Sequence, residues 1–371
     1  MRVGIPTEIK NNEYRVAITP GGVAELTWRG HDVLIQDGAG LGSAITNDDF
    51  TAAGARIVPS AADVWGAADL LLKVKEPIAA EYGLMRADQT VFTFLHLAAS
   101  RPCTDALLAA GTTSIAYETV QLPDGSLPLL APMSEVAGRL APQAGSHHLL
   151  RSQGGRGVLM GGVPGTAPAT VTVIGAGVSG VNAAQIAAGM GAEVTVFDID
   201  VRKLRDVEAR FGGRVHTRYS TSLALEEAVL DSDLVIGAVL IPGAAAPTLV
   251  TTELALRMRP GSVLVDIAID QGGCFADSRP TTHAEPTFTV GDTVFYCVAN
   301  MPGAVPRTST YALTGATLPY VLRIANRGWR AACAHDPALA AGLSTHDGIL
   351  FNAGVGAALG LPSQRPADAL V

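Results

Sequence analysis

The chain has 371 residues, 48% hydrophobic and 16% charged, a size and composition that suggest about two compact domains with real cores. Its formal net charge of −8 argues against nucleic acid as a partner, because neutralising phosphate needs clustered Lys and Arg. Four scattered cysteines, Cys103, Cys274, Cys297 and Cys333, show no C-x-x-C spacing. Buried free thiols in a reducing cytoplasm are expected, not a disulfide framework or a thiolate metal site. The opening Met1-Arg-Val-Gly-Ile-Pro-Thr-Glu8 reaches an acid too early for a secretory signal. From Gly157 to Ala192 there is no charge at all, yet prolines, Asn182, Gln185 and many glycines divide that run into strand, turn and helix. A buried nucleotide-fold core is expected there, with no membrane span.

In chain order, the first 130 residues alternate short apolar runs with helix-like stretches. Strands are predicted at Arg2–Ile5, Asp32–Gln36, Leu70–Val74, Val91–Leu95 and Ser114–Tyr117, and helices at Gly21–Trp28, Ala61–Ala67 and Cys103–Ala110. Alternation of this kind implies a mostly parallel sheet covered on both faces. Met133–Leu150 reads as a helix that Pro142 should kink or interrupt. A second alternating series follows, with strands at Val171–Ile174, Glu193–Asp198, Leu234–Val239, Ser262–Ile267 and Thr293–Val298. Thr308–Arg327 reads as a long helix, and the Ala- and Gly-rich tail as helix with a frayed end. The fold class expected is α/β: two Rossmann-like, doubly wound parallel-sheet domains separated by a cleft.

Gly175-Ala-Gly-Val-Ser-Gly180 sits between the apolar run Val171–Ile174 and a helix-like stretch, and a second apolar strand then ends at Asp198. Strand, G-x-G-x-x-G, helix, strand and acid, with the acid about 20 residues beyond the glycines, is the dinucleotide fingerprint. Gly175 is expected to make the tight turn, Gly177 to let backbone approach a pyrophosphate, and Gly180 to let helix and strand pack closely. The helix starting near Val178 would aim its free N–H groups at the phosphates. Asp198 would accept from a ribose 2′-OH and repel a 2′-phosphate, selecting NAD over NADP.

Ligands of open α/β sheets sit beyond the carboxyl ends of the strands. In the first series that rule picks out Arg15, Lys75, His96 and Glu118. Arg and Lys together suit a small carboxylate, and His suits proton transfer near neutral pH. In the second series it picks out Asp270 and Asn300-Met301-Pro302. Asp266, inside a strand, reads as a structural or capping acid, and His147 and His148 as structural.

These residues lie in longer segments that resemble the alanine dehydrogenases and the related NAD-binding subunit of proton-translocating transhydrogenase. The segments are 4–20, Leu72-Lys-Val-Lys-Glu-Pro77, Thr93-Phe-Leu-His-Leu-Ala98, Pro132-Met-Ser-Glu-Val-Ala-Gly-Arg139, 173–180, 265–273, Asn300-Met-Pro302 and Thr308-Ser-Thr310. The resemblance covers nearly the whole chain. It implies NAD-dependent, reversible oxidative deamination of L-alanine to pyruvate and ammonium, with a transhydrogenase-type NAD(H)-binding subunit or an amino-acid dehydrogenase for another small substrate as the alternatives. Arg15 and Lys75 would hold the substrate, His96 would be the general acid/base, and Asp270 would assist the water and ammonia steps. Ser134, Gly175, Gly177, Val178, Gly180, Asp198, Lys203, Ser220, Val239, Leu240, Ile267, Ala268, Ile269, Asp270, Arg279, Val298, Ala299, Asn300 and Met301 would contact NAD. It also implies a homo-oligomer, commonly a hexamer, and a discontinuous catalytic domain, 1–128 plus 306–371, around an NAD domain, 129–305. Some relatives hold a divalent ion on the C-terminal helix. Arg323 and Arg327 occupy what look to be those positions here and cannot be ligands, so no metal is expected.

Overall fold

The computed structural model describes residues 1–239 and 247–370. The chain divides into two compact units, Met1–Met133 with Val305–Val371, and Ser134–Ala304. The strands of the first stretch are β1 (Arg2–Ile5), β2 (Asp32–Gln36), β3 (Arg56–Val58), β4 (Leu70–Leu72), β5 (Thr90–Thr93) and β6 (Thr113–Ala116). Those of the second unit are β7 (Thr170–Ile174), β8 (Glu193–Asp198), β9 (His216–Tyr219), β10 (Leu234–Gly237), β11 (Val263–Asp266), β12 (Thr287–Val290) and β13 (Thr293–Tyr296). The tail adds β14 (Leu343–His346) and β15 (Ile349–Leu350).

Both sheets are wound the same way. The second unit runs β12-β13-β11-β10-β7-β8-β9, parallel throughout except for β12, which pairs antiparallel with β13. The first runs β15-β14-β6-β5-β4-β1-β2-β3. In each, winding starts at a central strand, moves outward one way, then returns to continue the other way. The reversal falls between β1 and β4 in one unit and between β7 and β10 in the other, and those are the places where doubly wound sheets bind ligands. The central strands β4, β5, β6, β10, β11 and β13 are buried at every position. Strands covered on both faces read as continuous apolar runs, which is why they were legible as such.

Three expectations need correcting. The tail contains helix as expected, at Trp329–His335, Pro337–Ala341 and Ala353–Leu359, but not helix alone: β14 pairs antiparallel with β6, and β15 with β14, so the tail also extends the first sheet. Leu343-Ser-Thr-His346 is short and polar at three of its four positions, which hides a strand that is tied to its neighbour: Thr345 and Ser114 share a hydrogen bond of 2.7 Å. Pro142 does not end its helix, which runs unbroken over Ala131–His148. The missing donor would have served Gly138, the residue against which the ring crowds. Gly138 is itself a contact point, since a Cβ there would stand 2.2 Å from the Ser179 carbonyl oxygen on the helix Val178–Gly189. Finally, strands predicted to end at Val74, Leu95, Tyr117, Val239, Ile267 and Val298 end two or, at Ile267 and Tyr117, one residue earlier. The apolar runs continue past the ladder because the first residues beyond each strand are also buried or half-buried.

Candidate active site

In the first unit the loops after β1, β4, β5 and β6 carry the ionisable residues singled out from sequence. β1, β4 and β5 are neighbours in the sheet, so Arg15, Lys75 and His96 stand on one edge of it. Arg15 is 2% exposed and Lys75 8%. The Arg15 guanidinium donates from Nε to Glu13 Oε1 at 2.6 Å and from Nη2 to the same carboxylate, while Nη1 lies 3.0 Å from Met133 Sδ. The loop bearing Arg15 is pinned from the C-terminal helix Pro306–Arg327, where Thr310 Oγ1 accepts from Val16 N at 3.1 Å. Ser43 bonds both that hydroxyl, at 2.8 Å, and the Tyr14 carbonyl, at 3.0 Å. His96 adopts a left-handed backbone, φ 49°, at the start of the turn Leu97–Ala99, and its ring stacks on Phe94 at 5.8 Å. Glu118, grouped with the other three on sequence grounds, turns its carboxylate to backbone, accepting from His96 N at 2.6 Å and from Leu95 N at 3.2 Å.

A buried ion cluster beneath these loops escaped sequence reading. Lys73, at the end of β4, is 1% exposed, and its ammonium lies 3.1 Å from Glu8 and 2.9 Å from Glu81. Burial opposes the charge on Lys73, but the two carboxylates outweigh it and hold its pKa above the ordinary lysine value. One cation faces two acids, and burial raises the Glu8 pKa above its ordinary value despite Lys73. Glu8 Oε1 also accepts from Val74 N at 2.6 Å and Lys75 N at 3.4 Å. The available signal was Lys73 itself, a charge inside an apolar strand run (Leu70-Leu-Leu-Lys-Val74), which requires a partner. Arg323, on the C-terminal helix, pairs with Asp336. Among the described residues no group of three His, Cys, Asp or Glu side chains comes together as a metal site would require.

In the second unit the three glycines differ in what surrounds them. Gly175 has φ 108°, and a Cβ there would meet the Ala238 carbonyl oxygen at 2.7 Å, across the reversal between β7 and β10. A Cβ on Gly180 would stand 1.8 Å from the Gly175 carbonyl oxygen. Nothing lies within 4 Å of the corresponding point on Gly177. The helix Val178–Gly189 begins at Gly177 without a side-chain cap. By contrast Ser60, Thr221 and Thr251 cap the helices Ala61–Ala67, Ser222–Asp231 and Thr252–Leu256. Open backbone and uncapped N–H groups fit the pyrophosphate of a dinucleotide. Asp198 closes the loop, accepting from Ala176 N at 2.7 Å and from Asp200 N at 2.8 Å, with Lys203 Nζ 4.0 Å away. Ser220 N donates to the Asp198 carbonyl, which sets the next strand end beside it.

The remaining cofactor-side positions lie on turns that follow β10, β11 and β13. Val239 lies 3.3 Å from the Cβ point of Gly175; Leu240 lies outside the described residues. Ile267, Ala268, Ile269 and Asp270 form one short helical turn, Ile267–Gln271, with Asp270 exposed. Its cap is Asp266, fully buried, which accepts from Ala268 N at 3.0 Å, Cys274 N at 2.9 Å and the Ser278 hydroxyl. That is the structural role read from sequence, and burial raises its pKa. Burial likewise pushes the Cys297 thiol up to about 12, and all four cysteines are buried and unpaired. Arg279 lies over the Phe288 ring at 4.3 Å. Val298 is buried, Ala299 N donates to the Thr281 carbonyl, Asn300 has φ 59°, and Met301 opens the turn Met301–Ala304. Ser134 is half-buried on the helix Ala131–His148. His148, read as structural, is buried, and burial lowers its pKa.

Two doubly wound units, one with a dinucleotide cradle and one with Arg, Lys and His on adjacent strand ends, define the pattern of a nicotinamide-dependent dehydrogenase. Sequence models of the alanine dehydrogenase/PNT N-terminal and C-terminal domains match residues 4–137 and 141–353, and the chain belongs to that family. An alanine dehydrogenase of Mycolicibacterium smegmatis is 72% identical over 362 residues, 98% of each chain. A solved L-alanine dehydrogenase superposes with a TM-score of 0.94 at 51% identity, covering 97% of this chain and 99% of that one. A transhydrogenase from Sinorhizobium meliloti gives 0.80 at 27% identity, covering 95% and 99%.

Two predictions follow from these contacts. Lys73→Met leaves Glu8 and Glu81 buried without their cation and should lower stability by about 3–5 kcal/mol in denaturant melts. The deficit should be largest near pH 8 and shrink toward pH 5, because Glu8, whose pKa is already raised, gains a proton there and sheds its unpaired charge. A deficit independent of pH would contradict the buried-charge account. Gly180→Ala must displace backbone and should cost about 1–3 kcal/mol. Gly177→Ala should change stability by less than about 0.5 kcal/mol, as at an unconstrained site, yet weaken NADH binding.

Proposed function

We propose that the chain is an NAD-dependent oxidoreductase that interconverts L-alanine with pyruvate and ammonium. The observation that carries this reading is the placement of Arg15, Lys75 and His96 at the ends of β1, β4 and β5, three consecutive strands of one sheet. A small 2-oxo or 2-amino acid needs those groups and little else: a cation for its carboxylate, a second for its carbonyl oxygen, and a base that changes state near neutral pH.

NAD, when bound along the Gly175–Gly180 loop and beside Asp198, supplies the two-electron acceptor for the substrate α-carbon. Arg15 and Lys75 bind the carboxylate and polarise the carbonyl oxygen. Their burial makes each interaction stronger than it would be in water. His96 removes the proton released as the substrate imine adds water, and returns it when ammonia departs. Asp270, exposed on its turn, orients that water. A transhydrogenase-type role is the second reading, favoured by the 0.80 TM-score to a transhydrogenase. No helix among the described residues is long and apolar enough to cross a membrane, so that role would need a separate membrane partner. The reading extends to a homohexamer in the cytoplasm, for which light scattering on the purified protein is the test of assembly.

His96→Ala should lower kcat by about 10²–10⁴-fold while NADH still binds, as measured by fluorescence titration. Near-normal alanine oxidation in that variant would remove His96 from the mechanism. Asp198 selects the cofactor in this reading, so wild type should have the higher kcat/KM with NAD. Asp198→Ala should lower kcat/KM for NAD about ten- to hundredfold and narrow the preference. A wild-type preference for NADP would contradict the role of Asp198.

A further inference from the structure

The three residues assigned to the substrate share one feature of their main chain. Arg15 N donates to Glu13 Oε1 at 3.1 Å, Lys75 N to Glu8 Oε1 at 3.4 Å, and His96 N to Glu118 Oε1 at 2.6 Å. In each case the peptide N–H of the functional residue ends on a glutamate carboxylate. Glu13 lies two residues from Arg15 and is buried; Glu8 and Glu118 reach across from a neighbouring or next strand-end loop. Carboxylate acceptors give shorter, stronger hydrogen bonds to backbone than neutral ones do.

We propose that Glu8 and Glu118 are positioning residues for Lys75 and His96, acting through the backbone and not through the substrate; this rests on the alanine dehydrogenase reading above. The Lys75 peptide is held at both ends, because the Thr93 hydroxyl donates to its carbonyl at 3.0 Å while Glu8 takes the N–H of Val74 and Lys75. Glu8 is itself fixed by Lys73, which Glu81 anchors from the other side. His96 has the greater need. A non-glycine residue at φ 49° holds a sparsely populated conformation that surrounding structure must impose. Glu118 imposes it by gripping two successive N–H groups, Leu95 and His96. Both carboxylates are therefore occupied by backbone, which distinguishes them from the groups they position. Displacing a reacting group by about 1 Å can cost a factor near a hundred, so such supports have kinetic effects without substrate contact.

The test compares Glu8→Ala, Glu118→Ala and the corresponding Gln variants. Three quantities are measured: kcat for ammonium-dependent NADH oxidation at saturating pyruvate, pyruvate Kd for the protein–NADH complex without ammonium, and NADH Kd. Glu118→Ala should lower kcat about a hundredfold, leaving both dissociation constants within about threefold. Glu8→Ala should weaken pyruvate binding about ten- to hundredfold with NADH binding unchanged. Gln keeps one acceptor oxygen and should recover most of each loss, leaving about a tenfold defect in the same quantity. That residual split carries the test if an Ala variant fails to fold. Losses falling equally on kcat and pyruvate binding in both variants, or Gln variants indistinguishable from wild type, would overturn the positioning role. Wild-type protein without ammonium-dependent NADH oxidation would overturn the alanine dehydrogenase reading, and the positioning role with it.

Discussion

Lys73, buried between Glu8 and Glu81, is the interaction on which the substrate-side loops depend. At the reversal of the sheet, β1 and β4 run parallel side by side, so the chain leaves both strands at the same edge. Backbone N–H groups there need acceptors, and the chain supplies carboxylates. A buried carboxylate demands a cation in turn, which explains a buried lysine directly after the apolar strand β4. Replacing such a cluster with apolar side chains would often be neutral or stabilising. What it provides is a fixed path for Val74 and Lys75 that hydrocarbon could not specify.

The second unit solves the corresponding problem in the opposite way. At its reversal, between β7 and β10, side chains are removed instead of added. Gly175 and Gly180 allow backbone to approach backbone at distances that exclude any Cβ, while Gly177 faces open space. Asp198 then ties Ala176 back to the end of β8, so the loop is held in shape by a charge that is also the natural partner of a ribose hydroxyl. In the proposed function, buried charge suits the first unit to a small anion, and uncapped N–H groups suit the second to a pyrophosphate.

The strands β1, β2, β4 to β8, β10, β11 and β13, the fingerprint and the strand-end Arg15, Lys75 and His96 were legible in the sequence because each obeys a local rule: an apolar run, a glycine spacing, a polar residue after a strand; the short edge strands β3, β9, β12 and β15 carry no such run. What was not legible depends on partners far along the chain. Glu8 and Lys73 are 65 residues apart, and neither signals the other. β14 is recognisable as a strand only through β6, since its run of polar residues carries no apolar signal and Thr345 bonds Ser114, 231 positions away. The helix runs unbroken through Pro142, and Gly138, one turn earlier, packs closely against Ser179, a contact that no helix propensity encodes. Glu118 was found by the strand-end rule, which gave it no particular role. Its position showed that it stands near His96, and only the geometry shows that it holds the main chain there.

The most direct test of the central claim is the stoichiometry of the wild-type reaction with L-alanine and NAD. Pyruvate, ammonium and NADH should appear in equal amounts, and the reverse reaction should require ammonium. Binding of NAD without any of the three products, or exchange of reducing equivalents between nicotinamide nucleotides with no need for alanine, would contradict the account.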